Sequence, residues 1–165
     1  MLNTTRYDRT KMTENYEIHP IGYVKRGNEI EIQLEDKYKD ALLEVDNFSH
    51  IIVLWWGSKY AQYRDKVDMR MKPPYAPNVL TGLFATRSPV RPNPISVTVC
   101  KINKVDHKKG TVIVNQIDAF DETPVLDLKV YFPTCDRVKD IVVPERFHAW
   151  GEWMPPEGEP PECYE

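Results

Sequence analysis

The stretch ISVTVCKINKVDHKKGTVIVNQIDAF, residues 95–120, decides the fold of this 165-residue chain. Its first part alternates apolar and polar residues, which is the pattern of a β-strand with one face towards a core. The polar, glycine-ended DHKKG at 106–110 predicts a turn, and the β-branched run TVIV begins a returning strand. We therefore predict a β-hairpin over 95–120.

Strand patterns recur on both sides of this hairpin, in IHPIGYVKR (18–26), EIEIQLE (29–35), HIIVLWW (50–56), VLTGLFAT (79–86) and PVLDLKVYF (124–132). HIIVLWW is apolar throughout, so we expect it at the centre of the sheet and buried on both faces. DKYKDALLEVDNF at 36–48 has helical spacing and predicts the one clear helix. The expected fold is mainly β: a single-domain antiparallel β-barrel of about seven strands with one or two short helices.

The domain boundaries follow from composition. Residues 1–15 are polar and unpatterned and predict a flexible N-terminal arm, residues 16–143 form the barrel, and residues 144–165 form a tail rich in proline and glutamate. Trp150 and Trp153 are expected to pack this tail onto the barrel. The N-terminus lacks the apolar segment of a secretory signal, and no apolar run is long enough for a membrane helix, so we expect a cytoplasmic protein without a membrane partner.

Several function classes are disfavoured by the residues present. Cys100, Cys135 and Cys163 are far apart with no CxxC pair, so neither a disulfide framework nor a zinc site is predicted, and no metal is expected. No two glycines form a GxG, which excludes the Rossmann fingerprint and the P-loop. A net charge of −3 argues against nucleic-acid binding by bulk attraction, although basic clusters at 59–72 and 101–109 leave a local basic face open.

The segment FATRSPVRPNP, residues 84–94, predicts a ligand-binding loop. Its three prolines exclude both a regular helix and a central strand. A rigid loop that carries two arginines between strands loses little entropy when it orders around a ligand.

FATRSPVRPNPI, together with DETPVLDLKVYFP at 121–133 and FSH at 48–50, closely resembles one family. It is similar to the TsaA-like, or TrmO, family of S-adenosylmethionine-dependent methyltransferases, over roughly residues 17–133. The resemblance implies a small β-barrel that binds S-adenosylmethionine without a Rossmann fold, as a homodimer with the cofactor near the interface. It also implies a tRNA substrate, methylated at N6 of N6-threonylcarbamoyladenosine at position 37.

The resemblance also implies where the site lies. The expected cofactor-binding residues are Phe84, Ala85, Thr86, Arg87, Ser88, Asn93, Pro94, Val97, Asn115, Gln116, Ile117 and Asp118. Residues Asp127, Lys129 and Tyr131 alternate along one strand and are candidates for orienting the substrate or removing a proton, or else form a plain polar face. The substrate-binding candidates are Lys59, Arg64, Lys66 and Arg91, and Tyr75 or Trp56 could contact a sulfonium through its ring.

Departures from the family pattern leave alternatives open. The family's basic, proline-containing turn after the first strand is missing, and Lys25 or Arg26 would have to replace it. The family's Phe-His after the buried strand is Gly57 and Ser58 here, and its Gly-Thr-Pro begins with Glu122. The alternatives are a small-molecule methyltransferase with the same barrel, and a non-catalytic S-adenosylmethionine-binding or interaction module.

Overall fold

The structure is a computed structural model that describes residues 16–154. Within this range the strands are β1 (Gly22–Arg26), β2 (Ile30–Leu34), β3 (His50–Trp56), β4 (Arg70–Met71), β5 (Thr81–Gly82), β6 (Ile95–Asp106), β7 (Thr111–Val114) and β8 (Pro124–Val130). The helices are α1 (Pro133–Asp136) and five 3-10 segments, Asp36–Leu42, Val45–Asn47, Ser58–Lys66, Leu83–Ala85 and Glu145–Trp150.

Six of these strands close into a barrel in the order β1-β2-β7-β6-β3-β8, and every pair in it is antiparallel. The short β4 and β5 form a separate two-stranded sheet. The predicted mainly β, antiparallel barrel is therefore confirmed. Closure pairs the edge strands with each other, so the barrel leaves no long unpaired edge.

The barrel interior is filled by inward-facing aliphatic side chains. Val24, Ile32, Val53, Val112 and Val125 come from five different strands, and each is fully buried. Because side chains alternate across a strand, the same strands present their other residues outward. The period-two patterns in the sequence correspond to this inside and outside division.

Strand β3 is central, because it pairs with β6 on one side and β8 on the other. Its inward residues Ile51, Val53 and Trp55 are buried, as predicted, but the outward Ile52 and Leu54 are only half-buried. The outer surface of β3 is therefore an apolar surface left partly exposed.

Three local predictions differ from the structure. The predicted strand at 79–86 is reduced to Thr81–Gly82, which pairs only with the two-residue β4 and lies outside the barrel, so six strands rather than about seven close the barrel. Residues 36–48 form two 3-10 segments rather than an α-helix, and the left-handed φ of 68° at Glu44 separates the two. The returning strand of the hairpin ends at Val114. Beyond it, the Asn115 backbone N–H still donates to the Lys101 carbonyl at 3.1 Å, but the Lys101 N–H is taken by the Asn115 side-chain oxygen at 2.8 Å instead of by a backbone carbonyl.

The described part of the tail packs through Trp150. Its ring centroid lies 5.3 Å from that of Tyr75 in the β4–β5 connection and 5.0 Å from that of Phe147, whereas Trp153 is 70% exposed. The predicted arm at 1–15 and residues 155–165 lie outside the described residues. No described helix has the length and apolar character needed to cross a membrane.

Candidate functional site

An open cleft of about 660 Å³ lies at the end of β3 that carries Trp55. One wall is the loop at 84–94, and another is the segment 118–123 before β8. The lining residues are Trp55, Gly57, Ser58, Lys59, Tyr60, Phe84, Thr86, Arg87, Pro89, Arg91, Ile95, Ser96, Val97, Thr98, Asp118, Phe120, Asp121, Glu122 and Thr123.

Side-chain hydrogen bonds fold the loop at 84–94 back on itself. The Thr86 hydroxyl donates to the Leu83 carbonyl at 2.7 Å and accepts from the Ser88 backbone N–H at 3.2 Å. The Arg91 guanidinium donates to the Thr86 carbonyl at 3.0 Å. Because three prolines also fix φ here, the loop has few alternative conformations. A preformed loop of this kind loses less entropy when it binds a ligand.

Pro94 joins this loop to the end of β3. It is fully buried, and its carbonyl accepts a hydrogen bond from the Gly57 N–H at 2.7 Å. A Cβ added to Gly57 would lie 3.3 Å from the same carbonyl oxygen, which leaves little room for a side chain. The close approach of two backbones therefore explains why glycine suits this position, where the resembled family has phenylalanine.

The wall at 118–123 presents charged and aromatic side chains to the cleft. Ile117 and Ala119 are buried in the core, whereas Asp118 and the 49% exposed Phe120 line the cleft. The Lys59 Nζ lies 3.5 Å from the centroid of the Phe120 ring, within cation–π distance. This ring therefore already holds a cation at the cleft surface.

The charges of the lining suit a ligand that carries both signs. Cationic side chains come from Lys59, Arg87 and Arg91, and the segment 118–123 adds the carboxylates of Asp118, Asp121 and Glu122. Such an arrangement can pair with an ammonium or sulfonium and a carboxylate of one ligand.

The structure brings together five of the predicted cofactor-binding residues, Phe84, Thr86, Arg87, Val97 and Asp118, in the cleft lining. The others are not in its lining: Ala85, Ser88, Asn93, Pro94, Asn115, Gln116 and Ile117. Several of these build the walls instead, since Ile117 is buried in the core and Ser88 hydrogen-bonds within the loop.

The predicted catalytic residues lie away from the cleft lining. The Asp127 carboxylate bonds the Lys129 Nζ at 2.7 Å on the outer face of β8, and this hydrogen bond raises the pKa of Lys129. A cationic ammonium cannot accept a proton. The Tyr131 ring lies 6.4 Å from the ring of His50, at the opposite end of β3 from Trp55.

The substrate-binding candidates divide in the same way. Lys59 and Arg91 line the cleft, whereas Arg64 and Lys66 lie further along the Ser58–Lys66 helix, where both are exposed. The expected aromatic contacts, Tyr75 and Trp56, do not line the cleft.

Several lining residues escaped the sequence analysis. Trp55 is buried, and its indole N–H donates to the Thr98 hydroxyl at 3.1 Å, which fixes both at the floor of the cleft. Phe120 and Asp121 adjoin the predicted Asp118, but only their position between β7 and β8 shows that they face the loop at 84–94. The sequence signal that could have indicated this wall is the position of Glu122, where the resembled family has glycine. In the structure Glu122 adopts a φ of 60°, a conformation that favours glycine.

No metal centre is evident among residues 16–154, and of the two cysteines in this range Cys100 is buried and Cys135 is exposed. No group of three or more His, Cys, Asp or Glu side chains in this range could hold a metal ion. Burial raises the pKa of the Cys100 thiol to about 12, so it stays protonated and poorly nucleophilic at neutral pH.

A closed six-stranded barrel with a proline-stiffened loop facing an acidic wall defines a class: a small β-barrel protein with a preformed cleft for a charged ligand. Residues 9–137 match the family described as the tRNA-methyltransferase O N-terminal domain. The chain belongs to this family, which confirms the resemblance found in the sequence.

The relatives that this chain matches differ from one another in length and in description. An S-adenosyl-L-methionine-binding protein of Archaeoglobus fulgidus is 41% identical over 111 residues, which cover 67% of this chain and 75% of that protein. A tRNA (adenine(37)-N6)-methyltransferase of Mus musculus is 36% identical over 110 residues, which cover 66% of this chain. The match spans only 24% of the mouse protein.

Solved structures share the fold. The crystal structure of TrmO from Pseudomonas aeruginosa superposes with a TM-score of 0.59 at 24% identity, over 78% of this chain and 61% of that one. A second crystal structure of TrmO gives a TM-score of 0.60, also at 24% identity, over 79% of this chain and 64% of the other.

Proposed function

We propose that this chain is an S-adenosylmethionine-dependent methyltransferase that acts on tRNA, at N6 of N6-threonylcarbamoyladenosine at position 37. The observation that carries the proposal is the cleft, in which the loop at 84–94 faces Asp118 and Phe120. The names of the archaeal and mouse relatives support the cofactor and the tRNA substrate respectively.

The residues of the cleft fit the cofactor's groups. Arg87 is exposed on a stiff loop and would donate hydrogen bonds to a carboxylate. The Asp118 carboxylate would accept hydrogen bonds from an ammonium or from ribose hydroxyls. The Phe84 and Val97 side chains would contact apolar parts, and the Phe120 ring would face the sulfonium in place of Lys59.

When bound, S-adenosylmethionine supplies a methyl group on a sulfonium. The chain's own task is alignment, because the accepting nitrogen, the methyl carbon and the sulfur must be nearly in line. Transfer forms an N–C bond, breaks the S–C bond and releases the N6 proton, which a carboxylate or water at the cleft would take up. The carboxylates that line the cleft are those of Asp118, Asp121 and Glu122. Asp121 already accepts a hydrogen bond from the Arg26 N–H, and Glu122 forms an ion pair with Lys25.

A basic surface continues outward from the cleft. The Ser58–Lys66 helix carries Lys59 in the cleft lining near its start, and the exposed Arg64 and Lys66 near its end. Such a surface can contact the phosphates of a tRNA even though the whole chain carries a net charge of −3. A tRNA substrate is also consistent with the cytoplasmic location expected from the sequence.

The proposal includes a homodimer. The outer surface that runs across β8, β3 and β6 places Asp127, Leu54 and Val97 in one row, and Val97 is 44% exposed beside the cleft. A second copy packed on this apolar surface would border the cleft. Such packing is also the way in which Asp127, Lys129 and Tyr131 could reach a substrate, which keeps their predicted role open to test.

The test is transfer of a labelled methyl group from S-adenosylmethionine. The substrates are total tRNA lacking the final methylation, the same tRNA digested to nucleosides, and a small-molecule fraction. The proposal predicts label in intact tRNA. Label only in the small-molecule fraction would establish the small-molecule alternative, and cofactor binding with no transfer would favour a binding module.

A further inference from the structure

Arg26, the last residue of β1, makes three hydrogen bonds to the segment that runs from Ile117 into the wall at 118–123. Its guanidinium donates from Nε to the Ala119 carbonyl at 2.7 Å and from a terminal nitrogen to the Ile117 carbonyl. Its backbone N–H donates to the Asp121 carboxylate at 2.8 Å. Lys25 adds an ion pair with Glu122.

The two carbonyls to which the guanidinium donates have the same position relative to the cleft. They belong to the peptide groups immediately before Asp118 and Phe120, the residues that present side chains to the cleft. The side chains of Ile117 and Ala119 themselves point into the core and are almost fully buried. The wall is therefore anchored on its inner side by apolar packing, and two of its peptide carbonyls accept hydrogen bonds from one guanidinium.

Arg26 does not itself line the cleft, although it lies at the end of β1 next to the wall. The turn that follows it is short, since Arg26 pairs with Ile30 in the β1–β2 register. The turn between these two strands is therefore too short to reach a ligand directly.

We infer that Arg26 is a positioning residue for cofactor binding. It holds the peptide groups that precede Asp118 and Phe120, so that these two residues of the wall at 118–123 are presented to the ligand. The inference rests on the proposed cofactor function of this cleft. The planar guanidinium suits this task because its donors have a fixed geometry that matches two acceptors at once. A lysine offers a single flexible ammonium and cannot reproduce the fork.

The experiment compares Arg26→Lys with Arg137→Lys, a matched change on the segment after β8, where the Arg137 guanidinium lies 5.1 Å from the ring of the exposed Trp153. The probe is S-adenosylhomocysteine, titrated calorimetrically with each folded variant. We expect Arg26→Lys to weaken binding on the order of tenfold and Arg137→Lys to change it less than about twofold. Arg26→Gln, which shortens the apolar stem by one methylene and replaces the guanidinium with a single planar NH2 donor, is used if the lysine variant does not fold.

A merely structural role is distinguished by two double-mutant cycles. If Arg26 acts through the wall, Arg26→Lys should lose most of its effect in an Asp118→Asn background and keep it in an Arg87→Ala background, since Arg87 lies on the loop at 84–94. An unchanged affinity for Arg26→Lys, or an equal reduction in both backgrounds, would overturn the inference while leaving the proposed function intact. No binding of S-adenosylhomocysteine by the wild type would overturn both.

Discussion

The cation–π contact at Phe120 gives a prediction that depends on the charge of the ligand. Phe120→Leu keeps an apolar side chain of similar size but removes the ring face that lies 3.5 Å from the Lys59 Nζ. Because the ring is 49% exposed, we take the range for exposed sites, about 0.5–1 kcal/mol. That energy corresponds to a change in affinity of about twofold to fivefold.

The reduction in affinity should fall on S-adenosylmethionine and spare S-adenosylhomocysteine. The two ligands differ only in the sulfonium methyl group, so only the first carries a positive charge on sulfur that can interact favourably with the ring quadrupole. The ratio of the two dissociation constants should therefore shift against the sulfonium by at most about fivefold, and by less to the extent that the sulfonium displaces Lys59 from the same ring. Removing the ring also removes its van der Waals packing, but that effect is the same for both ligands and cancels in the ratio.

The assay is calorimetric titration of both ligands into wild type, Phe120→Leu and Phe120→Tyr at one salt concentration. Phe120→Tyr keeps the ring and should restore the wild-type ratio. Thermal unfolding checks that the half-exposed position tolerates each change. An equal reduction of affinity for the two ligands in Phe120→Leu would refute the assignment of this ring to the sulfonium.

Three further predictions concern the loop, the basic surface and the core. Arg87→Ala should weaken S-adenosylhomocysteine binding by about 1.5–3 kcal/mol, the range for a hydrogen bond to a charged group, with the circular dichroism spectrum unchanged. Arg64→Glu combined with Lys66→Glu should lower tRNA methylation and flatten the dependence of initial rate on salt, by about 0.7–0.9 in log-log slope for each phosphate that is no longer neutralised. Burial raises the pKa of Cys100 from 9.0 to about 12, so the unfolded state loses its proton first. The contribution of this thiol to the free energy of unfolding should therefore fall by about 1.4 kcal/mol per pH unit between pH 9 and about pH 12, which makes the pH dependence steeper in the wild type than in Cys100→Ala.

Each of these has a contrary outcome. Unchanged affinity in a folded Arg87→Ala variant would remove this arginine from the cofactor site. Identical salt slopes for wild type and the double variant would remove the Ser58–Lys66 helix from the RNA-binding surface, and cofactor affinity within about twofold of wild type is the accompanying control. Parallel pH dependence of urea unfolding in wild type and Cys100→Ala would show that this thiol does not titrate differently in the two states.

Most of the barrel could be predicted because its strands carry their own signal. Ile32 stands in a period-two pattern, Val53 and Val112 stand in continuous apolar runs, and all three face the interior. The interruption at 36–48 could not be predicted in this way. It depends on the left-handed φ of Glu44, and a glutamate carries no local preference for that conformation.

The site could be predicted in part for the same physical reason. The loop at 84–94 is visible in the sequence because prolines and arginines together are unusual between strands. The opposite wall has no such composition, and Phe120 and Asp121 face the cleft only because the barrel brings the end of β7 near this loop. Asp127 and Lys129 show what periodicity cannot predict. Their alternation along β8 places them on one face of the strand, but it does not indicate whether that face borders the cleft.

The most direct test of the central claim is mass spectrometry of nucleosides from tRNA that lacks the final methylation, after incubation with the protein and S-adenosylmethionine. We predict that the wild type converts N6-threonylcarbamoyladenosine into a nucleoside heavier by one methylene, and that the Arg87→Ala variant does so more slowly at a cofactor concentration that saturates neither protein. Unmodified N6-threonylcarbamoyladenosine in every sample, from a wild type that binds the cofactor, would contradict the claim that this cleft methylates tRNA.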